Sequence, residues 1–390
     1  MIKIKNRTDC CGCTACASVC LHDAIMMKSD AEGFAYPLVN INKCINCGLC
    51  EKVCPIIKRK SLKDVSNKET PINYLAVRIK NKTILEKSSS GGAFSLLCNS
   101  VLNKNGVICG VEYSENGIVQ HVIVDNEKDL ERLRGSKYVQ SKIDDIYSQI
   151  KILLQKERWV LFSGTPCQVD GLRSFLRKDY PTLITVDLVC HSIPSPLIYK
   201  EYLSYCSKKL HHEVVSIDMR YKKTYGWSHR YSYRFLYKNG KNTIDPIRIA
   251  NWGKLFFSEL INRPSCGTCQ YTNLNRPGDF TIADFWDDNH KRPDIYSKEG
   301  TSLLLINTEK GQNLFEEVKQ QCDYWKITRE EALQPCLISP TIPNKEREVF
   351  WEYYHSNGFE KTYKKYFAIS NYVILKQVVK KILKTIYILK

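Results

Sequence analysis

Apolar residues in the middle of the chain form two short runs with the length and composition of buried β-strands. These runs are residues 159–163 and 183–189, and residues 167–176 between them have the pattern of a helix. This order predicts a βαβ unit with parallel strands and a right-handed connection. The chain should therefore contain an open α/β sheet, whose sites lie at the carboxyl ends of its strands.

A second group of alternating elements precedes this unit. The expected elements are strands at residues 74–79, 106–113 and 120–124, and a helix at residues 93–102 that follows a Ser/Gly loop at residues 88–92. Such a loop at a helix N-terminus presents free N–H groups to an anion such as a phosphate. A plain loop with a serine cap has the same sequence, so both interpretations stay open.

Polar patterning marks two further regions. Residues 61–72 are interpreted as a linker, because this stretch is charged and lacks periodicity. Residues 221–249 are rich in Tyr and Arg with strand-like alternation, and a hairpin turn is expected at residues 238–240. An aromatic and basic strand pair is more often a half-solvated sheet face than a nucleic-acid site.

The C-terminal segment 371–390 is a candidate basic amphipathic helix. One face carries Leu375, Val378, Val379, Ile382, Ile386 and Leu389, and another carries Lys376, Lys380 and Lys384. Such a helix lies on an anionic membrane or docks on its own domain, and we favour docking. No stretch of the sequence is apolar and long enough to cross a bilayer.

The composition is that of a folded protein with many thiols. The 390 residues are 43% hydrophobic and 25% charged, enough for two or three domains with buried cores. Eighteen cysteines and an N-terminus without an apolar signal segment indicate a cytoplasmic protein that binds metal or performs redox chemistry. The net charge of +17 comes from scattered Lys and Arg, which favours an anionic membrane, an acidic redox partner or a phosphorylated cofactor over nucleic acid.

Two cysteine motifs near the N-terminus carry the strongest chemical signal. Both have the C-x2-C-x2-C-x3-C spacing of bacterial two-cluster ferredoxins, in which the fourth cysteine of each motif binds the other cluster. The predicted ligands are Cys10, Cys13, Cys16 and Cys54 for one 4Fe-4S cluster, and Cys44, Cys47, Cys50 and Cys20 for the other. Zinc sites usually take one or two C-x2-C pairs instead, and Cys11 is interpreted as a bystander.

Four more cysteines suggest a third site. Cys167 follows the first strand of the βαβ unit, near a helix N-terminus that favours a thiolate, and Cys190 follows the second strand. Cys266 and Cys269 form a C-x2-C pair in a loop. A cluster, zinc, a redox-active dithiol or unrelated buried thiols all fit this spacing. Core positions are expected for the other thiols, Cys98, Cys109, Cys206, Cys322 and Cys336.

An ordered set of motifs gives the chain a family resemblance. The motifs are Ser89-Ser90-Gly91-Gly92-Ala93-Phe94, Arg134-Gly135-Ser136-Lys137-Tyr138-Val139-Gln140, Gly164-Thr165-Pro166-Cys167-Gln168, Val189-Cys190-His191, Cys266-Gly267-Thr268-Cys269 and residues 276–286. They resemble the family of beta subunits of coenzyme F420 hydrogenases and dehydrogenases. With its ferredoxin segment, the chain is similar to a bacterial branch associated with polysaccharide biosynthesis. The resemblance spans most of residues 1–340, and Ser192 departs from it where glycine is expected.

The resemblance implies a flavoprotein that passes electrons between FAD, an iron–sulfur cluster and a deazaflavin such as coenzyme F420. Ser90, Gly91 and Gly92 would cradle the FAD pyrophosphate, and Lys137 and Tyr138 would contact the flavin. A third 4Fe-4S cluster would be held by Cys167, Cys190, Cys266 and Cys269.

The expected fold class combines α+β and α/β. A bacterial-type two-cluster ferredoxin fold comes first, and a mixed α/β flavin-binding domain with βαβ units follows. The expected domains are the ferredoxin (1–60), the linker (61–72), an FAD-binding subdomain (73–155), a C-terminal domain with the third cluster (156–340) and a helical basic tail (341–390).

The expected function is that of a cytoplasmic iron–sulfur flavoprotein oxidoreductase, in which FAD links hydride chemistry to single-electron clusters. The alternative is a non-catalytic subunit that relays electrons to a separate enzyme. The expected partner is a redox protein or enzyme subunit. Peripheral contact at the inner membrane surface is the alternative to docking of the C-terminal helix. Catalytic residues are unassigned. Asp284 and His191 are the polar candidates, whereas His191, His229 and His290 receive no metal role.

Overall fold

The computed structural model describes residues 1–61, 71–227, 232–247, 249–286 and 292–370, together with residues 372, 375 and 379. Most of the expected linker and C-terminal helix lies outside these residues, as do His229 and His290. Among the residues described, no helix has the length and apolar character needed to cross a membrane.

The N-terminal unit is built from two similar halves. α1 (Ala15–Ser18) and α2 (Leu49–Lys52) each follow a cysteine loop, β1 (Ile25–Ser29) and β2 (Ala35–Val39) form a hairpin between the halves, and α3 (Pro55–Ser61) ends the unit. Two residues of each loop are left-handed: Gly12 and Thr14 in the first, Asn46 and Gly48 in the second. The two loops therefore repeat the same backbone turn.

An eight-stranded mixed sheet forms the centre of the molecule. The strands after the N-terminal unit are β3 (Asn73–Ile79), β4 (Val107–Tyr113), β5 (Val119–Val124), β6 (Val160–Gly164), β7 (Leu183–Leu188), β8 (Val214–Tyr221), β9 (Ser232–Tyr237), β10 (Asn242–Ile244), β11 (Phe280–Asp284), β12 (Ser302–Ile306) and β13 (Cys322–Lys326). In the described residues, β8, β9 and β10 form a small separate sheet, and the other strands lie in the order β13-β3-β12-β11-β7-β6-β4-β5. In the centre of this sheet, β11 pairs with β7, β7 with β6 and β6 with β4, all in parallel. The pairs on either side of this centre are antiparallel.

Helices cover both faces of the large sheet. They are α4 (Lys82–Lys87), α5 (Ala93–Leu102), α6 (Glu127–Leu133), α7 (Ile146–Gln155), α8 (Pro166–Leu176), α9 (Pro196–Leu210), α10 (Trp252–Phe256), α11 (Glu309–Val318), α12 (Arg329–Ala332) and α13 (Arg347–Tyr366, with a break at Gly358). Leu161 of β6 packs with α5 and α11 on one face. Its neighbours Val160 and Phe162 pack with α7 and α8 on the other, as the alternation of a strand requires.

The predicted βαβ unit is confirmed. β6 and β7 pair in parallel, with Val160 opposite Leu183, and α8 connects them. All five residues of β6 are buried, because both faces of this part of the sheet are covered. The helix predicted at residues 93–102 is α5, with the same bounds.

Strands from both expected α/β domains share the large sheet. β3, β4 and β5 come from residues 73–155, and the remaining strands come from residues 156–340. At the start of the expected linker, α3 continues through Ser61. The whole α/β region is thus a mixed fold around one large sheet.

The small sheet packs with α9, α10 and α13 around an aromatic core. Trp252 and Phe350 are among its fully buried side chains. The predicted hairpin turn joins β9 to β10, and Gly240 in the turn has a φ of 78°. The alternating Tyr and Arg residues therefore belong to a sheet that closes this core.

The N-terminal unit shares a hydrophobic core with the large sheet. Ala15 of α1 lies in one cluster with Phe162 of β6 and Leu172 of α8. Arg59 of α3 forms an ion pair with Asp170 of α8, with 2.8 Å between Nε and the carboxylate. These contacts hold the cysteine loops of the N-terminal unit against α8.

Candidate functional site

Cys167 and Cys190 lie at the carboxyl ends of neighbouring parallel strands. β6 ends at Gly164, and Thr165 and Gln168 form a capping box at the start of α8, which places Cys167 in its first turn. The Thr165 hydroxyl is 3.3 Å from Cys167 Sγ. Cys190 comes two residues after β7. One edge of the sheet thus holds both thiols, as the strand order predicted.

A buried ion pair anchors the C-x2-C loop at the same edge. Arg276 donates to Asp187 of β7 through Nε at 3.0 Å and Nη2 at 2.6 Å, and both side chains are almost fully buried. Arg276 also donates to the carbonyl oxygen of Tyr271. Breaking such a buried pair costs about 3–5 kcal/mol, so the contact firmly positions the loop that carries Cys266 and Cys269.

The four thiols at this edge are electrostatic neighbours. Burial, and after it the thiols of Cys266, Cys167 and Cys269, raise the pKa of Cys190. The backbone N–H of Ile193 donates to Cys266 Sγ at 3.4 Å, and hydrogen bonds to sulfur of this kind tune iron–sulfur clusters. The edge gathers the four cysteines that the family resemblance assigns to a third cluster.

A single metal ion and a cubane make different demands on their ligands. Within the described ranges, no three His, Cys, Asp or Glu side chains converge closely enough to hold one metal ion. The four cysteines of a 4Fe-4S cluster each bind a different iron atom, so they surround a volume rather than a point.

Cys10, Cys13, Cys16 and Cys54 form another group inside the N-terminal unit. Burial, followed by the thiols of Cys10 and Cys54, raises the pKa of Cys16 to about 12. The interaction with Cys11 lowers the pKa of Cys13, but burial and the nearby thiols of Cys16 and Cys10 raise it overall. The fourth cysteine of the second motif therefore lies beside the first loop.

The remaining cysteines of the N-terminal unit lie on a more open half. The backbone N–H of Ile2 donates to Cys50 Sγ at 3.1 Å. Cys47 is exposed, whereas Cys13, at the same position of the first motif, is buried. The two halves thus differ in how far the rest of the chain covers them.

Cys11 lies between two of these cysteine groups. Its thiol is close enough to those of Cys13 and Cys167 for each to influence the pKa of the other. The interaction with the Cys11 thiol, and then burial, raise the pKa of Cys167 well above its usual value. Cys11 thus lies where the N-terminal unit meets the sheet edge, and its interpretation as a bystander stays a prediction.

Arg263 links the same two parts from a fully buried position. Its Nε donates to Cys10 O at 2.8 Å and its Nη2 to Ala35 O at 2.9 Å, while Nη2 is 3.6 Å from Cys10 Sγ. The sequence analysis gave no role to Arg263. Its one signal there is a basic residue three positions before Cys266.

Close packing shapes the Ser/Gly loop. A Cβ on Gly91 would lie 2.3 Å from Val77 O and 2.4 Å from Ser302 N, so β3 and β12 leave room only for glycine. Gly92 has a φ of 85° and precedes α5 without a side-chain cap. Both glycines are therefore explained by backbone geometry, and the N–H groups of α5 stay open to an anion.

Lys222 reaches this loop from the end of β8. Its Nζ donates to Ser90 O at 3.1 Å and to Glu299 O at 2.6 Å. The Ser90 hydroxyl donates to Thr301 O at 2.6 Å. Burial, and then the positive charge of Arg220, lower the pKa of Lys222 to about 8. A titratable cation thus lies against the predicted phosphate loop.

The loop at residues 134–138 meets the Ser/Gly loop at the start of α5. Ser136 donates to Ser89 Oγ through its N–H at 2.8 Å and its hydroxyl at 3.0 Å. Arg134 Nε donates to Ser95 Oγ at 3.0 Å, and its buried Nη2 has no hydrogen-bond partner in the described part of the chain. Arg134 is a residue the sequence analysis missed, since the motif around it gave no role to its charge.

Lys137 and Tyr138 already have protein partners. Lys137 Nζ donates to the carbonyl oxygens of residues 132–135 and so caps the C-terminus of α6. Burial lowers the pKa of Lys137 to about 7. The Tyr138 hydroxyl accepts from Arg220 Nη1 at 2.9 Å, and its ring stacks on Phe256. Flavin contact by these two residues stays a prediction.

Asp284, one of the polar candidates, is paired with a buried guanidinium. Arg220 donates to its two oxygens at 2.7 and 2.8 Å, and Trp227 Nε1 donates at 3.2 Å. In such a bidentate pair, the guanidinium fixes the carboxylate through hydrogen bonds to both of its oxygens. Asp284 therefore stabilises this region and is not a free acid or base.

His191 belongs to a polar chain beside Cys190. Its Nε2 lies 2.6 Å from Glu259 Oε1, and its Nδ1 lies 3.7 Å from Cys336 Sγ. Burial alone would lower the pKa of His191, but the bonds to Cys336 and Glu259 raise it to about 9. Cys336 is thus not the buried core residue expected, unlike Cys98, Cys109, Cys206 and Cys322.

Two family models match the chain. Residues 9–56 match a 4Fe-4S dicluster domain, and residues 157–330 match the C terminus of the coenzyme F420 hydrogenase/dehydrogenase beta subunit. The chain is therefore an iron–sulfur protein of the electron-transfer class. Residues 157–330 carry the C-terminal domain of the coenzyme F420 hydrogenase/dehydrogenase beta subunit, with a dicluster domain in front, as the motifs predicted.

Two proteins that are similar to this chain are also named for coenzyme F420. The chain is 22% identical over 336 residues to a subunit of the F(420)H(2) dehydrogenase of Methanosarcina mazei, across 80% of this chain and 83% of that protein. It is 25% identical over 312 residues to the coenzyme F420-dependent sulfite reductase of Methanocaldococcus jannaschii, across 78% of this chain and 45% of that protein. The chain thus spans less than half of the reductase.

Among solved structures, a chain of the F420-reducing NiFe hydrogenase complex of Methanosarcina barkeri matches with a TM-score of 0.45 and 16% identity. The match covers 75% of this chain and 90% of that chain.

Proposed function

We propose that this protein is an iron–sulfur flavoprotein oxidoreductase. It exchanges electrons between a two-electron donor or acceptor and a series of 4Fe-4S clusters, and FAD supplies the conversion between two-electron and one-electron chemistry. The observation that carries the proposal is the packing of the first cysteine loop on α8, where a Cβ added to Gly171, one turn after Cys167, would lie 3.1 Å from Cys13 Sγ.

Three cysteine groups hold the clusters in this proposal. The ligands are Cys10, Cys13, Cys16 and Cys54 for the first cluster, Cys44, Cys47, Cys50 and Cys20 for the second, and Cys167, Cys190, Cys266 and Cys269 for the third. Backbone N–H groups that point at Cys50 and Cys266, and the guanidinium of Arg263 near Cys10, support thiolates at these positions.

The N-terminus of α5 is the proposed site of the FAD pyrophosphate. The helix lacks a side-chain cap, Arg134 has an unpartnered buried nitrogen among the residues described, and Lys222 lies against the loop. All three features favour binding of an anionic group at the N-terminus of α5. The residues proposed around FAD are Ser90, Gly91, Gly92, Arg134, Lys137 and Tyr138.

Coenzyme F420 or a similar deazaflavin is the proposed two-electron partner. Both relatives are named for this coenzyme, one as the dehydrogenase of its reduced form and one as a sulfite reductase. The first of them is named as a subunit, which supports a partner enzyme or a partner subunit. Polysaccharide biosynthesis is the proposed destination of the electrons, on the strength of the sequence resemblance alone.

Anaerobic purification with iron, sulfide and flavin assayed on one sample tests the proposal. About twelve irons with about one FAD per chain are expected for three cubanes and one flavin. About eight irons without flavin would leave a two-cluster relay and overturn the enzyme proposal.

The flavin site is tested by Arg134→Gln, with Arg132→Gln as the matched control. Arg132 is half-exposed and pairs with Glu112, so its loss removes a charge without touching α5. The Arg134 variant should lose most of its flavin and keep its iron, whereas the Arg132 variant should keep both. Equal flavin in all three proteins would contradict the proposed site.

A rival function is a relay subunit without deazaflavin chemistry. The observation that favours it is the engagement of both Asp284 and Lys137 by protein groups, which leaves neither as a free acid or base. Anaerobic mixing with reduced coenzyme F420 separates the two functions. An enzyme should produce the oxidised coenzyme as its clusters become reduced, whereas a relay with the same iron content should leave the coenzyme unchanged.

A further inference from the structure

The repeat in the N-terminal unit allows its two halves to be compared position by position. Cys11 and Ile45 each follow the first cysteine of their motif, and Cys11 contacts Cys167 whereas Ile45 is exposed. Pro55 and Leu21 each follow the fourth cysteine, and Pro55 is buried whereas Leu21 is exposed. The α/β region thus covers the half with the first cluster and leaves the other half open.

The open half carries three exposed apolar side chains, which we call the open patch. Leu21, Ile41 and Ile45 are 88%, 73% and 63% exposed. Each lies within three residues of Cys20 or Cys44, two proposed ligands of the second cluster. Single exposed apolar residues are ordinary, but a group around one site marks a contact surface.

Positive charge accompanies the open patch. Lys43 lies between Ile41 and Ile45 in the sequence, and Lys52 lies in α2 beside the same cysteine motif; both lysines are exposed. Two acidic residues lie nearby: Glu51, within 3.5 Å of the N-terminal amine, and Asp23, which is exposed and two positions after Leu21. A partner that covers these residues therefore needs an apolar centre and an acidic rim.

The chemistry beneath the open patch indicates what kind of partner it is. Cys47 is exposed, so the second cluster of the proposed function has a ligand at this surface. The half around the first cluster is already occupied by α8 and its neighbours. Electrons that reach the second cluster can therefore leave the molecule through the open patch.

We propose that the open patch is the docking surface for an acidic one-electron carrier protein. The inference rests on the proposed function, since it requires the second cluster. One electron passes from the reduced second cluster to the oxidised carrier, or in the reverse direction, and no bond is made or broken. The apolar centre excludes water from the contact, and the lysines steer the carrier toward it.

The test uses the full chain with its complete iron content and an acidic plant-type 2Fe-2S ferredoxin as the probe. Calorimetry with both proteins oxidised measures binding at low and high salt. Ile45→Glu should raise the Kd about tenfold or more, and added salt should weaken binding by the wild type. The control is Ile118→Glu, an equal change at an exposed position between β4 and β5, which should bind like the wild type.

Each contrary outcome is distinct. If Ile45→Glu and the wild type bind the ferredoxin equally well with intact clusters, the docking surface alone is overturned. The same holds if binding by the wild type does not depend on salt. A wild-type dimer that Ile45→Glu dissociates would assign the patch to a second copy of the chain and also overturn it. Iron analysis and EPR without the second cluster would overturn both this inference and the proposed function.

Discussion

The buried guanidinium of Arg263 shows how a single residue connects packing to the proposed redox chemistry. A buried cation is tolerated only with acceptors or negative charge around it. Arg263 has the carbonyl oxygens of Cys10 and Ala35 as acceptors, and Cys10 Sγ lies 3.6 Å away. If Cys10 is a cluster ligand, the guanidinium stabilises the electron that reduction adds.

We expect Arg263→Gln to lower the reduction potential of the first cluster, because loss of a nearby positive charge disfavours the reduced form. The same change should lower the free energy of unfolding by about 1–3 kcal/mol, because the carbonyl oxygens of Cys10 and Ala35 lose a buried donor. Redox titration followed by EPR measures the potential. Arg7→Gln is the control, since Arg7 is half-exposed and paired with Asp30 and Glu32. An unchanged potential in the Arg263 variant would contradict the assignment of Cys10.

Lys222 makes the proposed flavin site sensitive to pH. Its pKa is lowered to about 8 by burial and by Arg220, so the amine is cationic below this pH and neutral above it. A bound pyrophosphate favours the cation. We therefore expect the affinity for FAD to fall as the pH rises from about 7 to 9, measured by quenching of flavin fluorescence. Lys222→Met should bind FAD more weakly with a flatter pH profile, and the same slope in both proteins would rule out Lys222 as the cause.

At the scale of elements, the residues of the Ser/Gly loop have two roles. They pack against the strands β3 and β12, and they shape the proposed anion site at the N-terminus of α5. Gly91 lies between β3 and β12, and Ile79 N donates to Gly91 O at 2.8 Å. This contact holds the N-terminus of α5 in place beside Arg134. The helix terminus can bind an anion only while the loop keeps this conformation.

Gly91→Ala should therefore destabilise the fold by about 3 kcal/mol or more, because its Cβ would overlap Val77 O and Ser302 N. Gly135→Ala is the matched control. Gly135 has a φ of 85° but no atom within 4 Å of its added Cβ, so only backbone strain of about 1 kcal/mol is expected. Denaturant unfolding measures both. Similar losses in the two variants would mean that crowding at Gly91 is relieved by movement of the strands.

Local patterns were enough to predict the elements around the site, but not their long-range partners. The apolar run of β6, the helix α5 and the parallel pairing of β6 with β7 all follow from short stretches of sequence. The pairing of β3 with β12 and β13 joins residues more than 200 positions apart, and no local signal specifies it. The role of Lys137 was obscured for a different reason, since its partners are close in the sequence but surround its amine only once α6 has formed.

At the scale of the whole molecule, the N-terminal unit is part of the same packed body as the α/β region. Glu32 in the turn between β1 and β2 is buried and pairs with Arg347 of α13, and Ser195 donates to Glu32 O at 2.5 Å. Together with the shared core around α8, these contacts fix the first cysteine group against the third. The motifs predicted which cysteines form each group. Which groups lie next to each other depends on how the N-terminal unit packs on the α/β region.

Cys11 connects the packing of the N-terminal unit on the α/β region with electron transfer. Electronic coupling falls steeply with distance, and the Cys11 thiol lies close to those of Cys13 and Cys167. We expect Cys11→Ala to slow electron transfer between the first and third clusters while the iron content stays unchanged. Rapid-freeze EPR after reduction at the third cluster measures the rate at which the first becomes reduced.

Cys206→Ala is the matched control, because Cys206 is a fully buried thiol in the separate aromatic core of the small sheet. Cys11 is half-buried and Cys206 buried, so each change should cost about 1–2 kcal/mol of stability or less, and only the electron-transfer rate should separate them. An unchanged rate in Cys11→Ala would mean that electrons cross this contact by another route. Loss of about four irons would instead make Cys11 a cluster ligand, which would change the proposed ligand set at the junction of the two parts.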